Sequence, residues 1–216
     1  MSASRGLFIV FEGLDGAGKS TQADLLLAEL RRAGQAALLL REPGGTPLGD
    51  RLREILLGRD GALGLEPLSE LLLYEASRCQ LVRQVIRPAL ARGQTVISGR
   101  YVLSSLAYQG YGRGLALELI ERLNREATGG LEPELTFWID LAPEVGLARL
   151  RTAPDRMERS GLDFYRRVAA GYRELAQGQA QIIRLDGERS QNELARQVAA
   201  QLQRLSRRAN GDKARS

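Results

Sequence analysis

Gly13-Leu14-Asp15-Gly16-Ala17-Gly18-Lys19-Ser20 fits the pattern G-x-x-x-x-G-K-[ST] at every defined position. Such a segment suits a polyphosphate. Successive backbone N–H groups can turn inward on an anion, and the helix that follows adds its N-terminal dipole. Of the 31 lysines and arginines in the chain only two, Lys19 and Lys213, are lysines. A lysine at that point in so arginine-rich a chain looks like a chemical requirement, because a compact ammonium can slip beneath two phosphates where a planar guanidinium cannot. The triphosphate-binding set is then Gly13, Asp15, Gly16, Ala17, Gly18, Lys19, Ser20 and Thr21, with Lys19 on the phosphates and the Ser20 hydroxyl as a ligand to Mg2+. Asp15 is unusual in a turn that binds only phosphate. A carboxylate there points to a substrate hydroxyl or to the metal.

The other candidates are mostly arginines. Arg41 and Arg100 stand at the ends of strand-like runs, and Arg151, Arg156 and Arg159 fall in or beside an arginine-rich break, Thr152 to Gly161, that reads as a lid. Guanidinium forks suit phosphates, so this recurrence fits two sets of phosphates brought together. A turn-capping role for Arg41 and an exposed helix-end role for Arg159 stay open beside it. Tyr74 and Arg78 are one helical turn apart and share a face. A ring beside a guanidinium can read a base, and Tyr74 fits ordinary core packing as well. Ser105, Tyr108 and Gln109 lie in the segment Gly99 to Gly114, which reads as a loop too long for a simple connector. It is either a binding loop or a polar loop contacting itself. The chain has no N-K-x-D guanine signature and no histidine. A histidine base, a Ser-His pair and a His-ligated metal are thereby excluded. The balance points to a kinase rather than a GTPase.

These residues need rigid elements behind them. Leu7 to Phe11 is a continuous apolar run, the mark of a strand buried on both faces. Further strands are expected at Ala36–Leu40, Thr95–Ser98, Leu135–Leu141 and Gln181–Leu185. Helices are expected at Ser20–Arg32, Leu48–Leu57, Pro67–Ala91, Leu115–Ala127, Pro143–Arg151, Leu162–Gln177 and Gln191–Arg207. Alternation of this kind implies an α/β fold, a mostly parallel five-stranded sheet with helices on both faces. The expected organisation is one domain over residues 1–208, its lid at about 151–161, with a polar tail over 209–216.

Composition narrows the partners. The formal charge of +5 invites nucleic acid, but the positive charge is scattered and densest in the tail from Arg204 to Arg215, where a solvated helix end explains it. No apolar run reaches the roughly eighteen residues of a membrane span. Met1 to Arg5 is too short for a signal peptide. The one cysteine, Cys79, forms no internal disulfide, reads as a small buried hydrophobe and suits the cytoplasm.

Four segments together resemble the bacterial thymidylate kinase (dTMP kinase) family: Phe11 to Thr21, Arg41-Glu42-Pro43-Gly44-Gly45-Thr46, Ser104 to Gly110, and Asp155-Arg156-Met157-Glu158. Their order and spacing fit that family from Leu7 to about Leu205. The resemblance implies the P-loop NTPase fold, ATP as phosphoryl donor, dTMP as acceptor, Mg2+ and a homodimer through helices such as Leu48–Leu57 and Pro67–Ala91. It puts the acceptor phosphate on Arg41 and Arg100, thymine on Tyr74 (usually phenylalanine in the family), Arg78, Ser105 and Gln109, and the deoxyribose against Tyr108. Lys19, Asp15, Arg100 and Arg156 are then the catalytic set, with Arg156 as the lid arginine bridging the transferred phosphate. Gly99 departs from the family's Asp-Arg-Tyr, which has an aspartate near the magnesium. A substituted residue, compensation by Asp15 or Glu12, and weakened catalysis all stay open. Two alternatives accompany the reading: a kinase for another pyrimidine nucleotide or nucleoside, and a nucleotide binder with little turnover.

Overall fold

The computed structural model describes residues 6–58, 64–150 and 155–213, with side chains as far as Leu205. The expected lid therefore falls partly outside the described residues, and Arg151 lies there too. β1 (Phe8–Gly13) is buried at every position, as its apolar run predicts. It leads into α1 (Lys19–Arg32), β2 (Ala37–Arg41), α2 (Pro47–Leu57) and α3 (Pro67–Leu81). The Thr46 hydroxyl starts α2 by accepting from Gly49 N at 3.0 Å, and Pro47 needs no partner in the first turn. α3 runs through a π-helical stretch, Val82–Ile86, into α4 (Arg87–Ala91). Pro88 has no N–H to donate, and the widened ladder just before it accommodates that loss. Then follow β3 (Thr95–Gly99), α5 (Val102–Ser105), a second π-helical stretch (Leu106–Gly112), α6 (Leu117–Thr128) and β4 (Leu135–Asp140). α7 (Pro143–Ala148), a 3-10 turn (Glu158–Ser160), α8 (Leu162–Leu175), β5 (Ile182–Asp186) and α9 (Gln191–Lys213) complete the order.

The five strands form one parallel sheet in the order β2-β3-β1-β4-β5. Alternate residues of β1 point to opposite faces. Ile9 and Phe11 pack with Ala23 and Leu26 of α1 and with Leu194 and Val198 of α9. Phe8 and Val10 pack on the other face against Leu81, Val82, Ile86 and Leu90. This is the α/β architecture expected, with helices on both faces. From β1 the chain turns to one flank and later crosses to the other, so the crevice at the carboxyl end of β1 is where a ligand fits. Register brings three strand ends level there, since Phe11 pairs with Gly99 and Gly99 with Arg41.

Two expectations need correction. The segment Gly99 to Gly114 is not a loop: most of it is α5 and the π-helical stretch, packed against α8. Two of its glycines, Gly110 and Gly112, serve close approach, whereas Gly114 turns the chain with φ 81°. A Cβ on Gly112 would lie 2.6 Å from the Phe164 ring, and one on Gly110 would lie 2.5 Å from Leu117 Cδ2. In addition, α9 continues past Arg207 to Lys213, into residues expected to form the tail. Among the described residues no helix is long and apolar enough to cross a membrane.

Candidate active site

The β1–α1 loop arches over the carboxyl end of the sheet. Gly13, Gly16 and Gly18 all have positive φ, and a Cβ on Gly16 would lie 2.1 Å from Gly146 O, so the loop is pressed against α7. Lys19 folds back beneath the loop, donating to Gly13 O at 3.0 Å and Leu14 O at 2.7 Å. Burial, aided by Arg100, pushes its amine down to about 7, against the opposing pull of Asp15 and Glu12. Asp15 accepts from Arg100 NH2 at 2.5 Å, from the Tyr165 hydroxyl at 3.0 Å and from the Tyr108 hydroxyl at 3.2 Å. Burial would raise this carboxyl, but Arg100, Lys19 and the Tyr165 hydrogen bond outweigh it and hold the group ionised well below the usual range.

Arg100 directly follows β3 with φ 86°, a left-handed conformation uncommon outside glycine. It also donates to Gly13 O at 3.2 Å, Ser104 Oγ at 3.1 Å and the Tyr108 hydroxyl at 3.1 Å, with its guanidinium carbon 4.8 Å from the Tyr108 ring centroid. Glu12 is fully buried. It accepts from Tyr101 N at 2.8 Å and Ser104 N at 3.1 Å at the start of α5, from Ser104 Oγ at 2.5 Å and from the Tyr172 hydroxyl at 2.8 Å.

Around these groups lies a cavity of about 990 Å3. It is lined by Gly16, Gly18, Lys19, Ser20 and Thr21 of the loop and by Tyr74, Arg78, Ser105, Tyr108 and Gln109. Arg41, Arg53, Gly99, Arg100 and Arg149 also line it. The Arg41 side chain makes no hydrogen bond among the described residues, and Arg53 donates to Pro43 O at 3.0 Å. Burial, then the nearby charge of Arg41, lowers the Arg53 pKa. Two cations that crowd each other in a cavity make a place for an anion.

The comparisons with known proteins decide the family. The model of the family described as thymidylate kinase matches residues 11–198. A thymidylate kinase of Deinococcus radiodurans is 54% identical over 200 residues, covering 91% of this chain and 96% of the relative. One from Synechococcus sp. (strain JA-3-3Ab) is 54% identical over 193 residues, with 89% and 93% covered, and one from Trichodesmium erythraeum is 46% identical over 211 residues, with 90% and 94% covered. The chain belongs to the thymidylate kinase family.

Not every expected residue of this thymidylate kinase site stands ready for a ligand. Arg78, expected to read the base, is fully buried and held by Glu42 Oε2 at 2.8 Å, Ser105 Oγ at 2.9 Å, Asn124 Oδ1 at 2.8 Å and Tyr101 O at 3.2 Å, and by Glu75. Its second NH2 proton is the donor left over among the described residues. The Ser105 hydroxyl likewise donates to Glu75 Oε1 at 3.1 Å rather than to the cavity. Burial pushes Glu42 up to about 7, and one oxygen each of Glu42 and Glu75 has no partner among the described residues. Arg156 does not line the cavity. Its NH1 lies 2.6 Å from Glu70 Oε2 and its Nε donates to Leu56 O at 2.8 Å. Of the two carboxylates that could compensate for Gly99, Asp15 lines the cavity, whereas Glu12 does not and is engaged by the four hydrogen bonds above.

Arg53 and Arg149 line the cavity and escaped the sequence reading. The signal for Arg53 was its place on α2 behind the Arg41–Thr46 loop, one turn past Gly49, where it reaches back to Pro43. Arg149 directly follows α7, the helix pressed on the glycine loop, and donates to Gly187 O at 3.3 Å.

Proposed function

We propose that ATP and dTMP occupy opposite ends of this one cavity, with phosphates meeting at its cationic middle. The family is that of thymidylate kinases, which phosphorylate dTMP, and the family match favours that activity over both alternatives, another pyrimidine kinase and a binder with little turnover. The observation that supports the placement is the lining itself, which joins a phosphate-binding loop to aromatic and amide side chains in one cavity, with Arg41, Arg53 and Arg100 also in the wall.

The loop amides and Lys19 hold the donor triphosphate, whose charge returns the Lys19 proton that burial disfavours. Arg41 and Arg53 hold the acceptor phosphate, and Arg100 is steadied at the junction by Asp15. Tyr74 stacks on the base, and Gln109 and the remaining Arg78 donor meet its edge. The acceptor oxygen is already anionic, so positioning and charge neutralisation suffice and no base is required, in keeping with a chain that has no histidine. Among the described residues no cluster of three or more acidic, histidine or cysteine side chains could hold a metal. The donor set instead fits Mg2+ carried on the nucleotide phosphates, with Ser20 as its protein ligand and Asp15 nearby. When bound, the ion would neutralise phosphate charge. Arg156 would have to leave Glu70 to reach the phosphates.

Leu48 and Ile55 of α2 and Leu68 and Leu72 of α3 are large apolar side chains left exposed, between 38% and 48% each. That adjoining apolar surface supports a homodimer through these two helices. The single cysteine and the demand for ATP support a cytoplasmic enzyme.

Coupled ADP-release assays with dTMP, dUMP, UMP and thymidine as acceptors test the reading. Preference for dTMP is expected, and a strong preference for UMP or thymidine contradicts it.

A further inference from the structure

Glu70 lies on α3 one turn before Tyr74, is fully buried and does not line the cavity. Its carboxylate is nevertheless the meeting point of three chain segments. Oε1 accepts from Gln109 Nε2 at 2.7 Å, in the π-helical stretch. Arg113 reaches both oxygens, with Nε to Oε1 at 3.4 Å and NH2 to Oε2 at 3.3 Å. Arg156 NH1 closes on Oε2 at 2.6 Å. Arg113 is held in turn over the Phe164 ring, 4.5 Å from its centroid.

The chemistry of this contact fixes the orientation of an amide. A carboxylate shared by two guanidiniums, which only donate, is the acceptor in its contacts, so the Gln109 nitrogen must face Glu70 whatever ambiguity attaches to amide ends in general. The amide oxygen is then the atom left for the cavity, and no donor among the described residues reaches it. Arg113 contacts both Glu70 oxygens independently of Arg156. The orientation of Gln109 therefore outlasts movement of Arg156.

We propose that Glu70 is a specificity-positioning residue: it holds Gln109 with its acceptor oxygen toward the acceptor nucleotide, so that the site selects a base carrying a ring N–H at that edge. Thymine has an N3–H there, whereas neutral cytosine presents a lone pair at N3 and would set acceptor against acceptor. The inference rests on the proposed place of the base at the Tyr74–Gln109 end of the cavity.

The test compares kcat/KM for dTMP and dCMP in the wild type and in Glu70→Gln. An amide at position 70 both donates and accepts, so it lets Gln109 turn either way. The dTMP-over-dCMP ratio is expected to fall by about tenfold or more, with the loss on dTMP carried mainly by KM. Glu70→Asp keeps the charge with a shorter reach and is expected to lose less of the ratio. It carries the same readout where the amide variant does not fold. A merely structural role would lower activity on both nucleotides alike, and an unchanged ratio in the folded variants overturns the proposal. A wild type that accepts dCMP as readily as dTMP overturns the placement of the base itself, and the proposal with it.

Discussion

Lys19 is held by its own loop before any phosphate arrives, and that has a consequence for pH. Its amine, buried and pushed down to about 7, carries its charge below that value and loses it above. The free enzyme thus grips a triphosphate less well as pH rises. Between about pH 7 and about 9, kcat/KM for ATP is expected to fall, while kcat at saturating ATP changes less because bound phosphate favours the ammonium. A pH profile of both constants checks this. At the end of β3, Gly99 lacks a positive φ, and a Cβ there would meet nothing within 4 Å. Gly99→Asp is therefore expected to fold as well as the parent. With a carboxylate then facing the cavity, half-saturation by Mg2+ should fall severalfold, as a titration of activity against Mg2+ would read.

At the level of elements, local signals were read well and distant partnerships poorly. The Gly13–Ser20 loop was legible because its whole pattern lies within one turn between a strand and a helix. Glycines at 110 and 112 misled, because a glycine that lets two helices touch looks in sequence like a glycine that turns a loop. Glu42 is legible only as part of the Arg41–Thr46 loop, and nothing in the sequence singles out Glu70 or Glu75, yet Glu42 meets Arg78 across 36 residues and Glu70 meets Gln109 across 39. Only packing brings such pairs together. The same packing yields a prediction. Gly112→Ala would force a methyl into Phe164 and Val168, destabilising by about 1–3 kcal/mol in denaturant unfolding. Because Gln109 and Tyr108 lie on the preceding turn of that stretch, the KM for dTMP should rise with it.

For the whole molecule, the parallel sheet sets the geometry of the reaction. It levels the ends of β1, β2 and β3, so that one loop and two arginines, Arg41 and Arg100, converge on a common crevice. α2 and α3 supply Arg53, Tyr74 and Arg78 from their inner faces while exposing leucines on their outer ones. On the proposed pairing of copies through α2 and α3, light scattering is expected to find the parent dimeric and Leu72→Glu monomeric, with a loss of activity in the variant. The central claim is that two nucleotides lie end to end in one cavity, with a lid arginine released to join them. A crystal structure with dTMP and a non-hydrolysable ATP analogue tests it most directly. The thymine ring is expected between Tyr74 and Gln109, its phosphate at Arg41 and Arg53, the triphosphate in the Gly13–Ser20 loop, and Arg156 moved from Glu70 onto phosphate. A dTMP phosphate seated away from Arg41 and Arg53, or Arg156 still on Glu70 with both ligands bound, would contradict it.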